Sequence, residues 1–485
     1  MKKTLIYFSI LICVLAIPTL LWYFMEYKPS QQASVAEVST FEELKAATQK
    51  IKLKNDIDCN YETISALTCT EIDGQGFTIK NCVATADGQN KSASLFSAGT
   101  QTIKNLNLEN IVVKGSNGMG AAIVCVAKSD KIENVHIKNS KVSCGQGLYG
   151  TGLGRTVARS YIGGIYGGYW EKKEYFDCEI INCSVEGLEI EITGYKDSGI
   201  YADMFAGGIA GGGNKISNCS AVDCKITAKA TSIYGEPYIG GIVGISKGKI
   251  ENSFSKNCEF TAKATYYQDN FAGMYSTSCA FVGGIAGEIT ENGNIRYSYS
   301  ENNKFYVKSS GDLNVGGLVG NLQNGTVAQS YTKGNYIETD GYVKGNKDSV
   351  ARRVGGLVGL AKDSTISSCF AYDDGAFIEK SEGFKEDTDS KFAGLIAGVS
   401  SVSVMNCATY NNNLQSVTTD EFIPFDVGSA DSCYVSATTC GNVNGCEIIS
   451  EEFWFSPNLL RDKLNLMGAY WNLTTGELPC LKISD

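Results

Sequence analysis

Histidine occurs once in the 485 residues, at His136. A zinc peptidase of the His-Glu-x-x-His kind needs two, so that chemistry is excluded. No Cys-x2-Cys pair exists, which removes the common zinc framework as well. Arginine is scarce: Arg155, Arg159, Arg296, Arg352, Arg353 and Arg461. Beyond Arg352-Arg353 the basic residues form no cluster, and the net charge is −10, so nucleic acid is not an expected partner. A lyase using calcium and an arginine base would need acids massed beside an arginine, and no arginine has such neighbours in sequence. Long helical runs are also missing, because glycine interrupts nearly every window and β-branched and aromatic residues dominate.

What is present is a repeat. GGIAGGGNKISNCS starts at Gly207, GGIVGISKGKIENSFS at Gly240 and GGIAGEITENGNIRYSYS at Gly283. GGLVGNLQNGTVAQSYT follows at Gly316 and GGLVGLAKDSTISSCFA at Gly355, with weaker copies at Gly163 and Ala393. Each unit carries an aliphatic residue that aligns as one column: Ile79, Ile103, Ile132, Ile180, Ile216, Ile250, Ile295, Val327, Ile366 and Val404. Asparagine often stands two residues later. A small or apolar residue stands three later, including Cys183, Cys219, Cys369 and Cys407. Such self-similarity marks a solenoid. The unit suits a parallel β-helix of three strands per coil, with Lys-Ile-Glu-Asn-Ser-Phe as one strand and Cys258 to Ala262 as another. Glycine is expected at the corners because it permits positive φ and close packing of successive turns. About ten coils at ~4.8 Å spacing would span on the order of 43 Å. A unit cannot bury its own apolar face, so only stacking makes a core.

Four regions are expected: 1–29 as membrane anchor or signal segment, 30–50 as linker and capping helix, 51–412 as β-helix, and 413–485 as an irregular C-terminal cap. Residues 5–25 are apolar and long enough for a transmembrane helix. Lys2 and Lys3 precede that run, which keeps the N-terminus inside and exports the body, either anchored or, after cleavage, secreted. Thr40-Phe41-Glu42-Glu43 has capping-box spacing and opens a helix over 41–50. Seventeen cysteines lie outside the apolar run. Two readings stay open for those in register: a ladder of buried thiols or disulfides between coils.

Sites of chemistry are few. Asp373-Asp374 is the one adjacent aspartate pair within a repeat and reads as a solvated turn. His136 is expected to point outward. Neither a cofactor nor a metal is implied. The insertions are the better candidates for binding, since solenoid loops often form the binding face. Tyr266, Tyr267, Phe271 and Tyr275 lie in the insertion 265–281, and Tyr195 and Tyr201 in another; tyrosine suits glycan or protein recognition.

The phrase Gly-Gly-Leu-Val-Gly with Val-Ala-Gln-Ser-Tyr, from Gly316, resembles the GLUG motif, as do the units at Gly240 and Gly283. The resemblance covers about 163–408. GLUG repeats occur in bacterial surface and secreted proteins, including adhesin-like β-helices and certain immunoglobulin-A-cleaving metallopeptidases. In the latter a separate zinc domain cleaves, and this sequence contains none. The resemblance thus implies a non-catalytic, adhesin-like surface protein that binds an extracellular glycan or protein through aromatic loops. The alternatives are a polysaccharide-degrading β-helix enzyme and an architectural envelope protein without a ligand.

Overall fold

The computed structural model describes residues 35–482 except 87–91, 119, 147–148, 151–155, 169–176, 195–200, 231–234, 265–266, 270–274, 342–350, 381–390, 394, 411–412, 417–429, 437–445 and 475–476. The expected apolar anchor at 5–25 lies outside them. Among the described residues no helix is long and apolar enough to cross a membrane.

The chain is a parallel β-helix. The aliphatic column stacks as Ile51, Ile72, Ile103, Ile132, Ile180, Ile216, Ile250, Ile295, Val327, Ile366 and Val404, each paired in register with the next. Ala36 precedes this run and Ala430 follows it. All eleven are 2% exposed or less, and full burial of an aliphatic side chain contributes about 2 kcal/mol. One member of the expected column is misplaced. Ile79 pairs with Leu108 one strand further round the coil, and Ile72 stands below Ile103. Ile79 carries the column's Ile-x-Asn-small pattern and Ile72, with Gln75 three residues on, does not, yet the pairing puts Ile72 in the column.

Each coil is finer than three strands. The stretch read as one strand at Lys249 is two, Lys249–Glu251 and Phe254–Lys256, broken at Asn252. Asn252 has φ 47°, and Asn105, Asn134, Asn182, Asn218 and Asn406 occupy the same left-handed region. Asparagine tolerates that conformation where most residues do not, so the recurrent asparagine is a hinge between two short strands. A second hinge leads into Glu259–Ala264, on which Ile190, Ile226, Phe260, Phe305 and Ile337 stack inward. After the insertion the chain returns through Ala280–Gly283, turns at Gly283-Gly284 and runs on as Ala286–Ile289, as Gly235–Gly240 and Val243–Ser246 do one coil earlier.

Crowding, not positive φ, selects these glycines. None of Gly240, Gly241 and Gly244 is left-handed. A Cβ on Gly240 would lie 2.1 Å from the Val243 carbonyl oxygen, and one on Gly241 2.2 Å from the equivalent Gly284 of the next coil. On Gly244 it would lie 2.6 Å from the Ala206 nitrogen of the preceding coil. The phrase Gly-Gly-x-x-Gly therefore records a vertex where backbone touches backbone.

The cysteine column also has a stated task. The Cys183, Cys219, Cys369 and Cys407 thiols point at the carbonyls of Ile181, Ser217, Ser367 and Met405, at 3.2–3.3 Å. In the coils between, Ser253 and Ser298 donate to Glu251 and Arg296 at 2.8 and 2.9 Å. The Ser217, Glu251, Arg296, Ser367 and Met405 carbonyls also accept a backbone N–H from the hinge of the preceding coil, so thiol or hydroxyl fills the second lone pair of a carbonyl already in the ladder. Cys183, Cys219, Cys369 and Cys407 are free thiols.

The termini differ from expectation. Helix α1 spans Phe41–Ala46 and stops well short of residue 50; its capping box forms, with Thr40 and Glu43 reciprocally bonded. Lys50–Leu53 is already a strand, stacked on Val35–Val38, so the supposed linker carries the first rung. Phe41 and Leu44 join the core there. At the other end Cys433–Ser436 and Cys446–Ile449 extend the stack beyond 412. Helices α2 (Glu451–Trp454) and α3 (Pro457–Leu464) then lead a strap that turns back along the outside of the coils. Gln329 pins it: its amide oxygen accepts from Trp471 Nε1 at 2.8 Å and from the Met467 N–H at 3.1 Å, and its nitrogen donates to the Asn465 carbonyl.

Candidate functional site

The outward residue of the second strand of each coil changes character along the stack. In the early coils it is Asn107, His136, Ser184 and Ser220; then it is Phe254, Tyr299, Tyr331 and Phe370. The four rings stack at 4.8–5.2 Å, and the strap covers them with Trp471, Trp454, Leu460 and Leu464. Before Phe254 the strap ends and the polar residues line an open groove.

That groove has a volume of about 900 Å³. Its lining includes the hinge asparagines Asn134, Asn182, Asn218 and Asn252. Their amides are tied along the axis: Asn134 donates to Asn105 and Asn218 to Asn182, each at 3.0 Å. An amide carries two donors and two acceptor lone pairs, so this tie leaves hydrogen-bonding capacity facing the groove. His136 Nδ1 lies 2.8 Å from Ser184 Oγ. Partial burial, and then the Lys138 charge, lower the imidazole from its ordinary range and so favour its neutral form. Lys138 pairs with Glu186 at 2.8 Å. At the strap end Tyr297 and Tyr470 stack with centroids 3.9 Å apart.

A second polar cluster sits where the two strands at the glycine vertex face each other. Tyr161, Phe205, Tyr238 and Phe281 stack at 4.6–4.8 Å. Beside them Arg159 Nε meets Asp203 at 2.9 Å, Tyr238 donates to Glu236 at 2.7 Å, and Asn321 donates to Glu288 at 3.0 Å. Asp203 and Glu236 are neighbours in register. Arg159 thus does stand beside grouped acids, brought there by pairing across coils that the linear sequence hides. Burial raises all three carboxyls, Glu288 to about 7; for Asp203 it outweighs the guanidinium. Among the described residues no group of three metal-ligating side chains could hold an ion.

Asp374 is not the solvated turn expected. Asp373 takes a left-handed hinge, which directs Asp374 inward to 5% exposure. There it accepts from Thr332 Oγ1 at 2.6 Å and the Asn335 N–H at 2.8 Å. Burial pushes its carboxyl up to about 7.

Of the expected binding aromatics, Tyr195, Tyr266 and Phe271 lie outside the described residues. Tyr267 and Tyr275 belong to an antiparallel hairpin, Tyr267–Asp269 with Tyr275–Thr277, which is a two-stranded sheet of its own. Tyr201 is not on a loop at all. It opens strand Tyr201–Gly207 and pairs with Val157. The groove asparagines were visible in the sequence as a column, yet their spacing alone does not reveal which side faces out.

With the architecture defined as a parallel β-helix, relatives can be weighed. Residues 35–148, the first coils, match the family model described as "Putative pectate lyase-like adhesive domain". No curated protein matches the chain. Among solved structures it is similar to a "putative immunoglobulin A1 protease" from Bacteroides ovatus, at 13% identity over 94% of each chain and a TM-score of 0.28. It is also similar to a mannuronic acid specific polysaccharide family 6 lyase from human gut microbiota, at 8% identity over 77% of this chain and 86% of the other, TM-score 0.20.

Proposed function

We propose that this chain is a non-catalytic, adhesin-like surface protein, displayed outside the cytoplasm, whose solenoid holds an extended glycan. The observation that carries the reading is the groove: identical amides repeat along its floor at the coil spacing, aligned with the axis, with an aromatic pair at one end. Repeating hydroxyl groups on a polymer meet repeating donors and acceptors there, while tyrosine rings offer stacking faces. The adhesive family model overlaps the coils that contribute Asn107, Asn134 and His136. The GLUG-like phrases and the apolar run at 5–25 support surface display.

A polysaccharide-degrading enzyme is the second reading, favoured by Arg159 with Asp203, Glu236 and Glu288. Each of those carboxyls is engaged by a neighbouring side chain, which supports a structural network instead. Incubating the full chain with a panel of polysaccharides separates the two. Retention of the polymer with no new reducing ends and no unsaturated product is expected. Product release that disappears in Glu288→Gln would replace adhesion by catalysis.

A further inference from the structure

We infer that the ligand of the groove is an uncharged glycan, and that its chain ends on a stacking platform which the strap completes. The inference rests on the glycan reading above and adds the ligand class.

Charge decides the class. Lys138 is neutralised by Glu186, and Lys482 Nζ is engaged by the Gly468 carbonyl at 2.9 Å. His136 favours its neutral form. A polyuronate needs a row of cations along its path, and the groove offers amides and hydroxyls instead. The net charge of −10 adds a field that repels polyanions. A neutral sugar chain asks only for hydrogen bonds and ring faces, and both are in place.

Tyr297 marks the end of the track. It occupies the hinge column that Asn105, Asn134, Asn182, Asn218 and Asn252 fill before it, with φ 51°. A bulky side chain there is disfavoured, and such strain persists where surrounding contacts over-determine it. Those contacts come from the strap: the Tyr470 ring stacks on Tyr297, and the Tyr297 hydroxyl reaches Met467 Sδ at 3.4 Å. Tyr470 is 40% exposed, so part of its surface stays free for a sugar. The site is incomplete without residues from both the coils and the strap.

The test uses the full chain and two sets of hexasaccharides, measured by calorimetry: cellohexaose, mannohexaose and chitohexaose against hexagalacturonate and hexamannuronate. A neutral member should bind and the uronates should not. Tyr470→Ala, and separately Asn182→Gly with Asn218→Gly, should each weaken binding roughly tenfold. Glycine keeps the left-handed hinge while removing the amide, and Tyr470→Phe should restore binding, so a folding defect is distinguished from a lost contact. Uronates binding as tightly as the neutral set, with affinity falling as salt rises, would overturn the uncharged class and leave the groove as the site. Neutral binding indifferent to all these variants would overturn the groove reading itself, and binding by neither set would overturn both.

Discussion

The same strand ladder is built inside out in its two halves. Around the open groove the inward residues are Leu108, Ile137, Val185 and Ala221, and the outward ones Asn107, His136, Ser184 and Ser220. Under the strap the inward residues become Ser255, Ser300 and Thr332 before Ala371 restores an apolar one, and the outward ones are Phe254, Tyr299, Tyr331 and Phe370. Polar groups in the second interior are viable because they are bonded. Asn303 donates to Ser255 and Ser300 at 2.9 Å, Asn335 accepts from Ser300, and Asp374 accepts from Thr332. Buried polar groups are tolerated when fully satisfied. Outside, the aromatic ladder needs cover, and the strap supplies it. Strand polarity is thus set by what lies on each side, not by the coil alone.

The largest effect is expected at the cover. Trp471→Ala should cost about 3–5 kcal/mol of strap docking. Limited proteolysis should then cut the strap while circular dichroism retains the β signal; simultaneous loss of that signal would mean the covered half cannot stand alone. Next comes the interior. The Asp374 pKa rises from 3.8 unfolded to about 7 folded. Folding therefore favours the protonated carboxyl, and that contribution is complete below pH 3.8 and lost as pH climbs through about 7. Asp374→Asn should match the native protein in acid and exceed it by roughly 2–4 kcal/mol above pH 7 in urea unfolding. An unchanged pH profile would contradict a buried, titrating Asp374.

Smaller differences separate the hinges. Asn218→Ala should lose about 1–2 kcal/mol, and Asn218→Gly nearly nothing. Gln329→Gly, in the same column under the strap, should be destabilising because three hydrogen bonds go with it. Equal thermal shifts for the two glycine variants would erase the distinction between the halves. The least effect on stability, under about 1 kcal/mol, is expected from Ser220→Tyr. It extends the aromatic ladder into the groove, and glycan binding should fall although the melting temperature holds.

Much of this was legible. The Ile and Cys columns, the third strand at Cys258 to Ala262 and the capping box at Thr40 follow from spacing. Ile79 was misassigned because two strands of one coil carry the same pattern. Of the two causes expected for the corner glycines, close packing of successive coils holds at Gly240, Gly241 and Gly244 and positive φ does not. The groove escaped because the strap defines its end, and Gln329 and Trp471 are 142 positions apart in the chain. Arg159 and Asp203 meet 44 positions apart for the same reason.

From Ile180 onward, coil length varies chiefly between the strand after the second hinge and the strand before the glycine vertex, as between Lys225–Ala230 and Gly235–Gly240. Both flanks are locked in register with neighbouring coils. Foreign peptide spliced at that edge would leave every rung where it was, so the molecule is a scaffold on which new sequence can be tried without renegotiating the fold.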